Sequence, residues 1–234
     1  MVDGRVEELH NEPPLTLKCL PRAGALELLL VGSAASLLEG DDLTIDISVS
    51  GHLPVVVRSV AAQVAHPCPN GGSTAQTVHL RGSNGARLFW TVEPLIVAAE
   101  GRHQNTFTVD MDHTSRTVAK DTVVLGRSSE EPSAVSVRTR LSAVHGNVLV
   151  LEDGLDTRLR GSHGPAGLNG NRVIANAVAV GWTPSPSAGS LPLAGGGALH
   201  RSLSVDAASA GDGVASAAQR WWHEAIGCDF VAGG

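Results

Sequence analysis

Between residues 15 and 157, apolar and polar side chains alternate in one short run after another, with almost no helical spacing between them. The clearest run is 43–50, where Leu43, Ile45, Ile47 and Val49 alternate with Thr44, Asp46, Ser48 and Ser50. A period of two sends successive side chains to opposite faces, so such a run is a strand with one face buried. Strand-like runs also cover 15–20, 25–31, 55–65, 76–81, 86–97, 106–111, 117–125, 135–144 and 148–155. Gly-, Pro- or Asn-containing turns separate them, among them Ser50-Gly51-His52, Ser83-Asn84-Gly85 and His145-Gly146-Asn147. About ten strands with short turns predict an all-β architecture. The segment 135–155 reads as a hairpin turning at Gly146-Asn147. No repeat of fixed period between roughly 20 and 50 residues is visible.

The chain changes character after residue 157, yet no composition break divides it, so 1–234 reads as one β-rich domain. Residues 161–171 form a Gly/Asn/His-containing loop and 173–182 alternates as a further strand. The Pro/Ser/Gly-rich stretch 183–197 has no packing pattern and reads as a flexible loop. From Val214 the spacing turns helical: Val214, Ala218, Trp221, Trp222, Ala225 and Ile226 share one face, and Gly227 is a helix stop. Trp221-Trp222 fits core packing, with an exposed partner anchor as the alternative.

The chain of 234 residues is 42% hydrophobic, carries no tyrosine and has a net charge of −6 without a basic run. Those values exclude a disordered chain and argue against nucleic acid and anionic membranes as partners. The first ten residues carry acids and no apolar stretch, and no segment reaches the ~20 apolar residues of a membrane helix, so a cytoplasmic protein is expected. Cys19, Cys68 and Cys228 are odd in number and widely spaced, which argues against a disulfide framework.

Catalytic signatures are missing: the sequence has no Gly-x-Ser-x-Gly elbow, dinucleotide fingerprint, Walker loop or His-Glu-x-x-His helix. The candidates for chemistry are therefore few. Glu39, Asp41 and Asp42 surround Gly40 at the entry to the 43–50 strand. They are either turn acceptors for backbone N–H groups or a carboxylate pair able to pass a hard or borderline cation. Glu93-Pro94 interrupts an apolar run, so a bulge or edge is expected there, with Glu93 capping it or facing an internal polar cavity. His66 and Cys68 lie two apart in a proline turn, either a chance pair or a weak site for a soft metal. One reading of these acids is an enzyme using Asp42 and Glu93 as an acid/base pair; another is a carbohydrate- or protein-binding β module.

The order of motifs resembles a known family. Gly40-Asp41-Asp42-Leu43 is followed by Ser59–Ala65 as SVAAQVA, Ala75-Gln76-Thr77-Val78, the run from Gly85 to Ile96, and Asp121-Thr122-Val123-Val124-Leu125-Gly126-Arg127. In that order and spacing they resemble the urease accessory protein UreD (UreH) family, above all its actinobacterial branch, over roughly residues 15–155. The resemblance implies an all-β, β-helix-like stack of sheets with a short C-terminal helical part. It also implies a scaffold without catalysis of its own, binding UreF, through it UreG, and apo-urease, with a dimer inside that complex as a further expectation. No tightly bound cofactor is implied; nickel passes transiently, through an internal acid-bearing tunnel. Asp41, Asp42 and Glu93 then become candidate tunnel groups, with Gly40 and Arg127 in structural or interface roles. The chain departs from the family pattern at Glu39, where a glycine is usual, and in its short acidic N-terminus without aromatics.

Overall fold

The computed structural model describes residues 5–32 and 36–227. The chain enters through an antiparallel pair, β1 (Leu15–Arg22) and β2 (Ala25–Gly32). It then winds in coils. The first contains β3 (Asp42–Ser50), β4 (Pro54–Ser59) and β5 (Gln63–Ala65). The second contains β6 (Thr74–Ser83), β7 (Arg87–Thr91) and β8 (Leu95–Val97). The third contains β9 (Arg102–Met111) and β10 (Arg116–Leu125). β11 (Ser136–His145) and β12 (Val148–Asp156) form a hairpin, and β13 (Val173–Val180), β14 (Ser190–Pro192) and β15 (Gly197–Ser204) complete the strands. A helix, α1 (Ala207–Ile226), ends the described chain.

Equivalent strands of successive coils pair in parallel, giving two facing sheets. One has the order β12-β11-β9-β6-β3; the other is ten-stranded along β1-β2-β4-β7-β10-β13-β15-β14, with β5 and β8 beside β10. The architecture is the expected β-solenoid-like stack with one C-terminal helix. Asp42 lies beside Ala75, Ala75 beside Gln104 and Gln104 beside Arg138, so successive coils take 33, 29 and 34 residues. Unequal coils explain why the sequence shows no fixed period: the repeat is one of register, not of length.

The alternation of 43–50 holds throughout β3, with Leu43, Ile45, Ile47 and Val49 buried. Parallel register aligns Ile45, Val78, Phe107 and Leu141 as one inward column and Ile47, Leu80, Val109 and Ala143 as the next. The interruption at Glu93-Pro94 is neither a bulge nor a sheet edge. It is the corner between β7 and β8, where the Pro94 carbonyl accepts from Gln63 N (3.1 Å) and Glu93 N donates to Ser59 Oγ (2.9 Å). The run 55–65 breaks at a corner of the same kind, between β4 and β5. The 135–155 hairpin turns at Gly146-Asn147 as expected, and a Cβ on Gly146 (φ +54°) would collide with the His113 imidazole.

β13 is buried at all eight positions because both of its faces are covered. Ile174, Val178 and Val180 pack into the interior; Val173, Ala175, Ala177 and Ala179 face α1. Small side chains there let the helix approach closely. Trp221 and Trp222 are 0% and 4% exposed, and Trp222 stacks on Phe89 at 5.2 Å between ring centroids, so the tryptophan pair is core. The helix starts seven residues before Val214, because the Ala/Ser/Gly composition of 207–213 hides its periodicity. Asp206 caps it by accepting from Ser209 N at 2.9 Å, and Gly227 (φ +71°) ends it. The stretch 183–197, read as a loop without packing, holds β14, which pairs with β15. Pairing with β13, rather than an alternating pattern, makes β15 a strand.

Trp221→Ala removes the largest buried side chain joining α1 to the sheet. It is expected to destabilise the protein by about 3–5 kcal/mol, read from the urea unfolding midpoint.

Candidate functional site

The inward column next to Ile45–Leu141 is polar at three of its four positions. It contains Leu43, Gln76, Asn105 and Thr139, one from each coil. Opposite it, β10 turns Asp121 inward, beside Asn176 of β13. Asn105 Nδ2 donates to Asp121 Oδ1 (3.2 Å), and Arg201 Nε of β15 donates to Asn176 Oδ1 (2.8 Å). The Arg201 guanidinium also pairs with Asp153 on β12. Buried polar atoms ordinarily find partners, yet Gln76 Oε1 and Asn105 Oδ1 are buried without one.

Three adjoining cavities follow this polar row. At the β3 end, a cavity of about 810 Å³ lies between the segment 7–14 and β3 and is bordered by Asp42 and Asp46. The second, about 230 Å³, shares Leu15, Leu30 and Ile45 with the first and is lined by Gln63, Gln76, Glu93 and Asp121. The third, about 220 Å³, shares Asp121 with the second and is lined by Asp153, Asn176 and Arg201. Asp121 is the wall common to the last two. Burial pushes its carboxyl up to about 6, opposed by the Asn105 hydrogen bond and by Arg201.

The acids read from the sequence divide. Asp41 closes its own turn: its carboxylate accepts from Leu38 N (2.8 Å), while Asp41 N donates to Leu38 O (2.9 Å). Glu39 accepts from Asn70 N and Nδ2 and from Gly72 N, tying the first coil to the loop before β6 and holding its carboxyl below the usual range. Gly40 supplies the φ of +94° that the turn requires. Asp42 is exposed at the mouth of the first cavity, and Glu93, exposed at its corner, reaches the second. The two line different cavities, so the fold does not present them as one acid/base pair.

Arg127 folds back on its own loop. Its guanidinium pairs with Glu130 at 2.7 Å, and the same carboxylate accepts from Arg127 N and Ala99 N, which holds Glu130 down to about 2. Arg172, to which the sequence drew no attention, clamps this loop by donating to the carbonyls of Leu125, Arg127 and Glu130. Cys68 is buried with its Sγ toward the carbonyls of His66 (3.8 Å) and Arg102 (3.9 Å). Among the described residues, no three or more His, Cys, Asp or Glu side chains are grouped to hold a metal ion. Cys19 and Cys68 are free thiols, and Cys228 lies outside the described residues.

From the sequence, Gln76 and Asp121 entered only as members of the resemblance motifs, and none of Asp121, Gln76, Asn105, Asn176 and Arg201 was a candidate site residue. For Gln76 and Asn105 a signal existed: each falls on the inward phase of its alternation, where an apolar residue is the rule. Nothing local marked Asp121 or Arg201, because their partners come from other coils.

The fold is a β-solenoid of unequal coils that encloses a row of polar cavities. The chain matches the family model described as UreD urease accessory protein over residues 3–231. It is 32% identical over 234 residues to urease accessory protein UreD 1 of Saccharopolyspora erythraea, covering 92% of this chain and 89% of that one. Its identity is 33% over 215 residues to UreD 1 of Streptomyces griseus, with 88% and 80% covered. Identity to the UreD of Frankia alni is 31% over 247 residues, with 87% and 83% covered. The chain belongs to the UreD urease accessory protein family. No helix among the described residues is long and apolar enough to cross a membrane.

The position of Asp121 makes stability depend on pH. Its carboxyl ionises near 3.8 when unfolded and near 6 when folded, so the native state holds the proton more tightly. Stability is therefore lost as pH rises between those values, by up to about 3 kcal/mol above the upper one. Asp121→Asn is expected to leave stability unchanged below the lower value and to raise it above the upper one, measured by urea unfolding across that range.

Proposed function

We propose that this chain is a non-catalytic scaffold of urease maturation. It binds UreF, through UreF recruits UreG, and docks on apo-urease so that nickel enters the active site. Membership of the UreD family supports the maturation role. The observation that carries the nickel route is Asp121, the wall shared by two of three adjoining cavities. Nickel is cargo in this reading. It enters at the acidic end beside Asp42, passes Glu93 and Asp121, and leaves beside Asp153.

The side-chain chemistry suits transit better than storage. Oxygen donors from Asp, Gln and Asn hold a borderline divalent cation more weakly than the imidazole and thiolate groups of a resident site. Each carboxylate offsets part of the cation's lost hydration, and the orphaned oxygen of Gln76, which lines the second cavity, supplies a neutral ligand. When a cation reaches Asp121, its charge favours the ionised carboxylate that already predominates above about pH 6. The placement of Asp42 and Glu93 in separate cavities favours this reading over an acid/base enzyme built on the same two residues.

Tagged chain is expected to co-purify with UreF and apo-urease from a lysate containing both; recovery of neither would remove the scaffold's main support. Asp121→Ala and Glu93→Ala are expected to retain that complex but to lower the nickel content of urease several-fold, measured by metal analysis of the purified enzyme. Full nickel loading in both variants would eliminate the internal route.

A further inference from the structure

The last position of the main apolar column is not apolar. Ile45, Val78, Phe107 and Leu141 stack on four successive strands, and the hairpin register places Asp153 of β12 beside Leu141, in the fifth place. The facing sheet ends an inward row in the same way: Asp121, Asn176 and Arg201 lie side by side on β10, β13 and β15. The two rows meet in the Asp153–Arg201 pair. Among the described residues it is the one ion pair that joins the two sheets.

Arg201 is held on two sides. Its Nε donates to Asn176 Oδ1 at 2.8 Å, its Nη2 donates to Asp153 Oδ2, and its Nη1 lies 3.5 Å from Asp153 Oδ1. The Arg201 side chain is 35% exposed and that of Asp153 28%, and both line the third cavity, so the pair sits where that cavity meets solvent.

Closing the interior does not by itself require these groups. The four preceding positions of the column do so with Ile, Val, Phe and Leu, and exchanging a buried ion pair for packed apolar side chains is commonly neutral or stabilising. A pair exposed to this degree adds little to stability, so it opens by rotation of the long Arg201 side chain with the fold unchanged. Two states follow. Seated, the guanidinium is carried by a strand two spacings, about 10 Å, from that of Asp121. Its charge is felt there, since it draws the Asp121 carboxyl down against the effect of burial. A divalent cation moving on from Asp121 meets a like charge in an interior where solvent screens weakly. Swung into solvent, Arg201 leaves Asp153 as a free carboxylate at the end of the cavity.

We propose that Arg201 is the gating residue of the internal cation route. Seated on Asp153 and Asn176, it holds a divalent cation back from the end of the third cavity; rotated outward, it exposes Asp153 as the last ligand. This gate rests on the nickel route proposed above.

The test is NMR titration of the full chain with Ni²⁺. Paramagnetic Ni²⁺ at Asp121 broadens the side-chain amide of Asn105, which donates to that carboxylate at 3.2 Å. Arg201→Gln and Arg201→Met remove the gating charge, and Arg201→Lys keeps it. Arg140→Gln removes a charge paired with Glu152 that lines none of the three cavities. The Ni²⁺ concentration for half-broadening is expected to fall at least fivefold in Arg201→Gln and Arg201→Met, and to stay within twofold of the unaltered chain in the other two. Urea midpoints of all four variants verify that they fold. A pair that only staples the sheets would lower the midpoint of Arg201→Gln and leave the broadening unchanged, which overturns the gate while the route stands. An equal gain in Arg140→Gln overturns it too, because net charge then accounts for the effect. Absence of broadening in both the unaltered chain and Arg201→Gln means that no cation reaches Asp121, and the route falls together with its gate.

Discussion

The structure depends on parallel register between coils. Ile45, Val78, Phe107 and Leu141 stack in one column because each strand repeats the phase of the strand beneath it. A slip of one residue in any coil would turn its apolar set toward solvent, so burial of these columns holds the whole stack in phase. Coil length is then free to vary, provided the surplus leaves through corners such as Glu93-Pro94 or loops such as 126–131.

The same register creates the candidate route. Once Ile45 lies over Val78 and Phe107, Gln76 must lie over Asn105, two residues along the same strands. Packing therefore forces amides into the interior, opposite a carboxylate on β10, and the sheets cannot close on them as tightly as on leucine. The apolar columns outweigh the cost of this polar row. Cavities remain where donors and acceptors are left unmatched, and burial raises the Asp121 carboxyl well above the usual range. A solenoid used only as a spacer would gain by replacing these groups with valine; their presence in the interior is the reason to give them a function.

The helix solves a separate problem. A ten-stranded sheet with apolar residues on both faces needs a cover on the outer one, and α1 supplies it with Trp221 and Trp222 against the alanines of β13. The five-stranded sheet needs no such cover, because its outer positions in β3 carry Thr44, Asp46 and Ser48. The alternation of 43–50 holds in β3, whereas 173–182, read as alternating, is buried at every position of β13 because α1 covers its outer face.

The sequence by itself determined the strands of 15–157, the hairpin at Gly146-Asn147, the amphipathic face of α1 and, through the order of five short motifs, the family. These are local properties, set by side-chain period and turn chemistry within a dozen residues. It left undecided whether Glu39 and Asp41 were turn or site, because both uses require the same atoms; hydrogen bonds to Leu38, Asn70 and Gly72 give them turn and loop contacts. It read 183–197 as patternless, since β14 is made by pairing with β15 rather than by alternation. Tertiary structure alone decided that Asp121 faces Asn105 from 16 residues away, and that Arg201 meets Asp153 from the facing sheet. The physical reason is common to both: charges and amides act over a few ångströms of space, and in a solenoid the nearest neighbour in space is one coil away in sequence.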